Sequence, residues 1–217
     1  MIKIQCSILE QVRKNPAMYA QVLASNNVLS KGGTHGMLAY WQDVSLKVHL
    51  GDLNINQGIK ELQRTFMNFD ENIKNLKKQD FLQDSFIKYH TQFDKKGFKF
   101  LDTKRRIKWN ITSSGLLTGL TPWVIKNNDK YYSYFFSEQP FDWDSQLKFP
   151  LIQEYLAENN VECDINQMNV GIYCLSNDRF SFRSFSQKEL RLAVDETIEI
   201  FEKVDKEVNR IKRVVEK

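Results

Sequence analysis

Residues 116–157 read LLTGLTPWVIKNNDKYYSYFFSEQPFDWDSQLKFPLIQEYLA, and this stretch decides the fold class. Leu116–Ile125 has the composition of a strand, Asn127-Asn128-Asp129-Lys130 is a polar turn, and Tyr131–Phe136 is a second strand rich in rings. A helix follows whose apolar face carries Leu147, Leu151 and Tyr155. Strand, turn, strand and helix in that order predict an α/β or α+β core in which helices cover a sheet. The pleat sends successive side chains to opposite faces, so Tyr131, Tyr132, Tyr134, Phe135 and Phe136 cannot all point one way. Some must meet a helix across the sheet, or a partner protein.

Downstream, Val170–Leu175 is a compact apolar run expected as a buried central strand. Phe180, Phe182 and Phe185 then alternate with Ser181, Arg183 and Ser184. Ser186-Gln187-Lys188-Glu189 is a capping box, in which serine and glutamate each satisfy the other's backbone N–H. It opens a helix from Gln187 to about Val215 with a stripe of Leu190, Val194, Ile198, Phe201, Val204, Val208, Ile211 and Val215.

Upstream, strand periodicity begins at Gly97 and runs through Phe98, Phe100 and Leu101 to Ile107, Trp109 and Ile111. Before it the period is helical. Ile59, Leu62, Phe66, Phe69, Ile73 and Leu76 recur at alternating spacings of three and four, and Leu82, Phe86, Tyr89 and Phe93 resume the pattern. This predicts one nearly continuous helix over residues 55–94, about 35–40 residues and roughly 55–60 Å long. Its stripe asks for a second helix, in this chain or another. Earlier still, three shorter helices are expected. One runs from His35, capped by Thr34, to Leu50 and buries Met37, Leu38, Trp41, Val44 and Val48. Another spans Pro16–Ala24, opened by its proline, and the first runs from an N-cap at Ser7 to Arg13. By pattern the chain divides into a helical region, 1–96, and an α/β region, 97–217, expected to form one compact domain.

A length of 217 residues suffices for one sizeable core, and 41% hydrophobic with 12% aromatic content fits a globular protein. Thirty-one basic against 27 acidic residues leave a net charge of +4, which neither requires nor excludes a nucleic-acid partner. Cys6, Cys163 and Cys174 are too few for a disulfide framework or a four-cysteine metal site, so buried, reduced thiols are expected. No stretch approaches ~20 apolar residues, and the N-terminus soon turns polar at Gln5, Glu10, Gln11 and Arg13. Neither a membrane span nor a signal peptide is expected, and the cytoplasm is the expected location. No nucleophilic triad is visible, and Gly32-Gly33 alone makes neither a phosphate-binding loop nor a dinucleotide fingerprint.

This order of elements resembles the RecB-like branch of the PD-(D/E)XK nuclease superfamily, which includes CRISPR-associated RecB-like exonucleases. The resemblance rests on Ser7-Ile8-Leu9 followed by Asn15-Pro16-Ala17-Met18-Tyr19, on Gly33-Thr34-His35 and on Gly119-Leu120-Thr121-Pro122. Gln146, Gln153 and Tyr155 fall in the helix that contacts DNA in the family. It implies a restriction-endonuclease-like core sheet flanked by helices, with a long helical insert. It also implies a Mg²⁺ or Mn²⁺ site built from the histidine, an acid ending the first strand and an acid-x-lysine ending the second. Such an ion needs clustered carboxylates, yet Pro122 stands in place of the first acid and Glu138 is followed by Pro140 where the lysine belongs. The iron–sulfur cysteines of some relatives are missing as well.

What the resemblance implies, with those departures, is a pseudonuclease: no catalytic residue, no metal and no cofactor. It would be a subunit of a bacterial DNA-processing or anti-phage and anti-plasmid defence complex, beside an ATPase or a true nuclease. Two alternatives stay open. One is an active Mg²⁺- or Mn²⁺-dependent nuclease with a shifted site made of His35, Glu138 and Asp142 or Asp144. The other is a purely structural helix-pairing adaptor.

Candidate DNA contacts are Lys104, Arg105, Arg106 and Lys108 beside Trp109, a basic cluster next to a ring that suits phosphates with a stacked base. The same charges would also guard a strand edge. Gln146 and Gln153 join them through the resemblance. The C-terminal basic residues Lys203, Lys206, Arg210, Lys212 and Arg213 alternate with acids and read as an exposed helix face. A protein interface is expected at Tyr132, Tyr134, Phe136, Phe141 and Trp143, and along Phe201, Val208, Ile211 and Val215. His49 and His90 read as surface or packing residues.

Overall fold

The computed structural model describes residues 1–25, 36–161 and 163–215. The first half comprises β1 (Ile2–Gln5), α1 (Leu9–Lys14), α2 (Pro16–Ala24), α3 (Met37–His49), α4 (Ile55–Phe66) and α5 (Ile73–Lys95). The strands β2 (Lys99–Asp102), β3 (Arg106–Thr112), β4 (Gly115–Leu120), β5 (Trp123–Asn127) and β6 (Lys130–Ser137) follow. Then come α6 (Lys148–Leu156), β7 (Met168–Cys174), β8 (Arg179–Arg183) and α7 (Gln187–Val215). The fold is α+β, with two mixed sheets ordered β1-β4-β3 and β2-β5-β6-β7-β8. Parallel pairing occurs between β1 and β4 and, across the α6 connection, between β6 and β7.

The ring-rich strand β6 lies in the middle of the larger sheet, and the pleat divides its side chains between two cores. Tyr132, Tyr134 and Phe136 face α3, α4 and α5, together with Trp123, Ile125, Tyr173, Phe180 and Phe182. Tyr131 and Phe135 face the other way, with Val124, Val170 and Ile172, toward α6 and α7. Helices on both faces therefore absorb the rings within the chain. In β7, Gly171 is required by close approach: a Cβ there would lie 1.8 Å from the Ser181 carbonyl oxygen of β8.

The single long helix expected over 55–94 is two helices. Its apolar period continues across residues 67–72, but Asn72 accepts a hydrogen bond from the Asn75 N–H (2.9 Å) and starts a new helix. The Asn75 side chain also donates to the Asp70 carbonyl (2.9 Å), closing the turn. Folding back lets α4 bury Leu62 and Phe66 against the Leu82 and Phe86 face of α5, with Gly58 giving the Phe86 ring room. The stripe fails at the turn itself, where Ile73 is 74% exposed. A second helix thus covers the stripe from within the chain.

The expected strand Leu116–Ile125 is also divided. Thr121-Pro122 ends β4 in the small sheet and hands the chain to β5 in the large one. Proline lacks the N–H that would continue the ladder. Sequence reading missed β1, whose Ile2 and Ile4 point inward while Lys3 and Gln5 point out. Because β1 pairs with β4 and α2 packs on α7, residues 1–25 belong structurally with the second half, so position 96 is not a boundary between packed units. The first helix opens at Leu9, and Ser7 hydrogen-bonds Gln5 instead of capping it (3.4 Å). Gly36 precedes α3, which opens at Met37. Pro16–Ala24 is helical as expected, with Asn15 as its cap.

The capping box forms: the Ser186 N–H donates to Glu189 (2.8 Å), and the Glu189 N–H to the Ser186 hydroxyl (3.4 Å). In α7 the buried stripe includes Ala193, Thr197 and Ile200, while Val194 and Ile198 are only half-buried. Among the described residues no helix is long and apolar enough to cross a membrane. The three cysteines are free thiols; Cys6 and Cys174 are buried and Cys163 is half-buried.

Candidate functional site

The carboxylates of the shifted-site alternative are dispersed. Glu138 is ion-paired with Lys78 of α5 (2.8 Å), Asp144 with Arg183 of β8 (3.3 Å), and Asp142 is exposed. His35, with Gly33 and Thr34, lies outside the described residues. Among the described residues, no three His, Cys, Asp or Glu side chains converge as metal ligands would. Beside Pro122, where the resemblance would place the first acid, Thr121 is buried. Its N–H donates to the Arg105 carbonyl (2.8 Å) and its hydroxyl accepts from the Arg105 N–H (2.9 Å).

That clamp splits the basic cluster. Lys104 pairs with Asp43 of α3, and Arg105 with Asp102. Arg106 and Lys108, by contrast, project from the solvent face of β3, while Ile107 and Trp109 point into the core. Trp109 packs beside Tyr155 of α6, ring centroids 6.1 Å apart, so it is not the exposed stacking ring that the sequence suggested.

Strand register then assembles a site the linear sequence does not show. Lys108 is opposite Thr118 of β4, and Thr118 is opposite Gln5 of β1. Arg106 is opposite Leu120, and Lys3 is opposite Leu116. The solvent face of the small sheet therefore carries Lys3, Gln5, Thr118, Arg106 and Lys108. It forms one wall of a groove of about 690 Å³ that Cys6, Gly119, Phe135 and Lys148 complete. No Asp or Glu lines this groove, and among the described residues Lys3, Arg106, Lys108 and Lys148 have no ion-pair partner.

Lys148 is the sheltered member of this set. It opens α6, and its ammonium lies 4.9 Å from the Phe135 ring centre, 5.0 Å from Phe149 and 5.9 Å from Phe141. Burial pulls its pKa below the usual lysine range, and the charge of Glu10 only partly opposes this. Glu10 is itself committed, accepting from the Leu147 N–H (2.6 Å) and pairing with Arg13 (3.4 Å). Burial pushes the Cys6 thiol up to about 12, so it is a neutral wall and not a nucleophile.

The remaining expected contacts fall mostly inside the protein. Gln153 is fully buried: its side chain accepts from the Phe185 N–H (2.8 Å) and donates to the Phe185 carbonyl (3.0 Å). It fastens α6 to the segment entering α7 and cannot reach DNA. Gln146 is half-buried in the turn that precedes α6. Tyr134, Trp143, Phe201 and Val208 are core residues, and Tyr132, Phe136 and Ile211 are half-buried against the same cores, so their apolar surface is spent within the chain. Phe141 alone of the expected interface rings is exposed, at 39%. The Val215 side chain lies outside the described residues.

Sequence reasoning missed Lys3 and Lys148. The alternation of Ile2 and Ile4 with Lys3 and Gln5 was the available signal for the first. For Lys148, on a helix remote in sequence from the small sheet, no local signal existed. No protein-family model matches the sequence, and a comparison with curated proteins finds no match.

Proposed function

We propose that the protein is a non-catalytic nucleic-acid-binding subunit that holds a phosphate backbone across the solvent face of its small sheet. One observation carries the reading: four cations, Lys3, Arg106, Lys108 and Lys148, share a groove with no carboxylate and no ion-pair partner among the described residues. Cations on natural surfaces are usually interleaved with acids, as Lys104 and Arg105 are here. A one-sign groove instead focuses its field on an anion and releases counterions when a polyanion binds. Catalysis is not part of the proposal, because Glu138 and Asp144 are each committed to a separate cation. The resemblance to RecB-like nucleases suggests the setting: a bacterial DNA-handling or defence complex in which an ATPase or an active nuclease is the partner.

Fluorescence anisotropy with a labelled 20-nucleotide DNA, single- and double-stranded, tests the reading. Binding weakened at least tenfold by Arg106→Glu/Lys108→Glu is the expected result. Equal binding by both proteins refutes it, and so does DNA cleavage in Mg²⁺ or Mn²⁺ that Glu138→Ala abolishes.

A further inference from the structure

Three of the groove's cations stand exposed on the sheet, where solvent compensates their charge. Lys148 does not. It is half-buried, surrounded by the rings of Phe135, Phe149 and Phe141, and the acid whose charge it senses is already bonded to a backbone N–H and to Arg13. A sheltered ammonium without a counterion gains most from an anion of high charge density that can enter the same recess. The groove has a volume of about 690 Å³, and among the described residues no carboxylate lines it opposite Lys148.

An internal phosphodiester carries one negative charge and is flanked on both sides by chain. A terminal phosphomonoester carries nearly two charges at neutral pH, exposes three acceptor oxygens and can enter a recess end-on. Building on the nucleic-acid reading above, we propose that Lys148 is the reader of a terminal phosphate, so that the groove selects phosphorylated nucleic-acid ends over internal backbone. Arg106, Lys108 and Lys3 then hold the next phosphates along the sheet. The rings of Phe135, Phe149 and Phe141 hold its ammonium at the recess.

The test uses one 15-nucleotide single-stranded DNA, fluorescently labelled at one end and carrying phosphate or hydroxyl at the other, in both polarities. Nucleoside monophosphate serves as competitor. Anisotropy is read at pH 7.5. A phosphorylated end should bind roughly tenfold tighter than its hydroxyl counterpart, the scale of a charge-assisted contact. Lys148→Ala should remove that preference while leaving the residual affinity sensitive to Arg106→Gln, and Lys148→Arg should restore it. If Lys148→Ala unfolds by circular dichroism, Lys148→Gln replaces it. The polarity that shows the preference identifies a 5′ or 3′ end, and competition by the monophosphate at micromolar concentration assigns the recess to free nucleotides. Equal binding of phosphorylated and hydroxyl ends, or a preference that survives in Lys148→Ala, overturns the assignment of Lys148 and leaves the basic groove intact. Failure of every oligonucleotide to bind removes the groove reading itself.

Discussion

Replacing Arg106 and Lys108 by glutamine removes two of the four cations that line the groove without introducing repulsion, and salt dependence reports the loss directly. Each phosphate neutralised by a side chain releases condensed counterions. If all four cations contact phosphates, log K should fall with log salt at a slope of about −3.6 for a duplex and about −2.8 for a single strand. Between 50 and 200 mM salt, that is a loss of roughly 150-fold and 50-fold in affinity, respectively. The double variant should show a duplex slope of about −1.8, and its affinity should fall only about 12-fold over the same range. The assay is an anisotropy titration at four salt concentrations. Lys203→Gln is the control, since Lys203 lies on α7 and pairs with Glu199 (3.3 Å); it should shift the slope by less than about 0.3. A double-variant slope equal to the parent's, or a control that changes it as much, would show that the groove is not where the phosphates lie.

Other outcomes follow from the packing. Gly171→Ala puts a Cβ 1.8 Å from the Ser181 carbonyl oxygen, so β7 and β8 must separate; chemical denaturation should show a loss of about 3 kcal/mol or more. Gln153→Leu leaves the Phe185 N–H and C=O buried without partners and should cost about 3 kcal/mol by the same measurement, without altering salt-dependent DNA binding. Acid should weaken the helical layer. Burial holds His49 down to about 3 and His90 to about 4, both below their unfolded value, so stability is intact above pH 6.5 and is lost as the pH falls toward 3. At pH 5 the combined loss is roughly 4 kcal/mol, or about 10 °C in Tm. His90→Phe should halve the loss, because the buried Nε2 of His90 has no hydrogen-bond partner to forfeit.

Legibility followed the range of the interactions. Capping and turn chemistry is local, so Pro16–Ala24, the Ser186–Glu189 box and the strands around Val170 and Phe180 could be read directly. The break between α4 and α5 was hidden because Phe69 and Ile73 preserve the helical period across it. Only the cap at Asn72 marks the new start, and an asparagine within a polar face gives weak notice. The sheet change at Thr121-Pro122 was hidden by apolar residues continuing on both sides of it. The groove was the least legible part. Its cations come from β1, β3 and α6, and only strand register and the α6 crossover bring them together.

One local feature sets which face β3 turns to the basic groove. Pro122 stops the β4 ladder, and the residue before it is free to turn its N–H, carbonyl and hydroxyl toward the chain entering β3. Thr121 uses all three: Lys104 donates to its carbonyl (3.2 Å), and Arg105 both accepts from its N–H and donates to its hydroxyl. The clamp fixes the register at which β3 begins. A one-residue slip would exchange its two faces, sending Arg106 and Lys108 into the core and Ile107 and Trp109 into solvent. A carboxylate at position 121 could accept the Arg105 N–H, but it would bring a charge into a buried site.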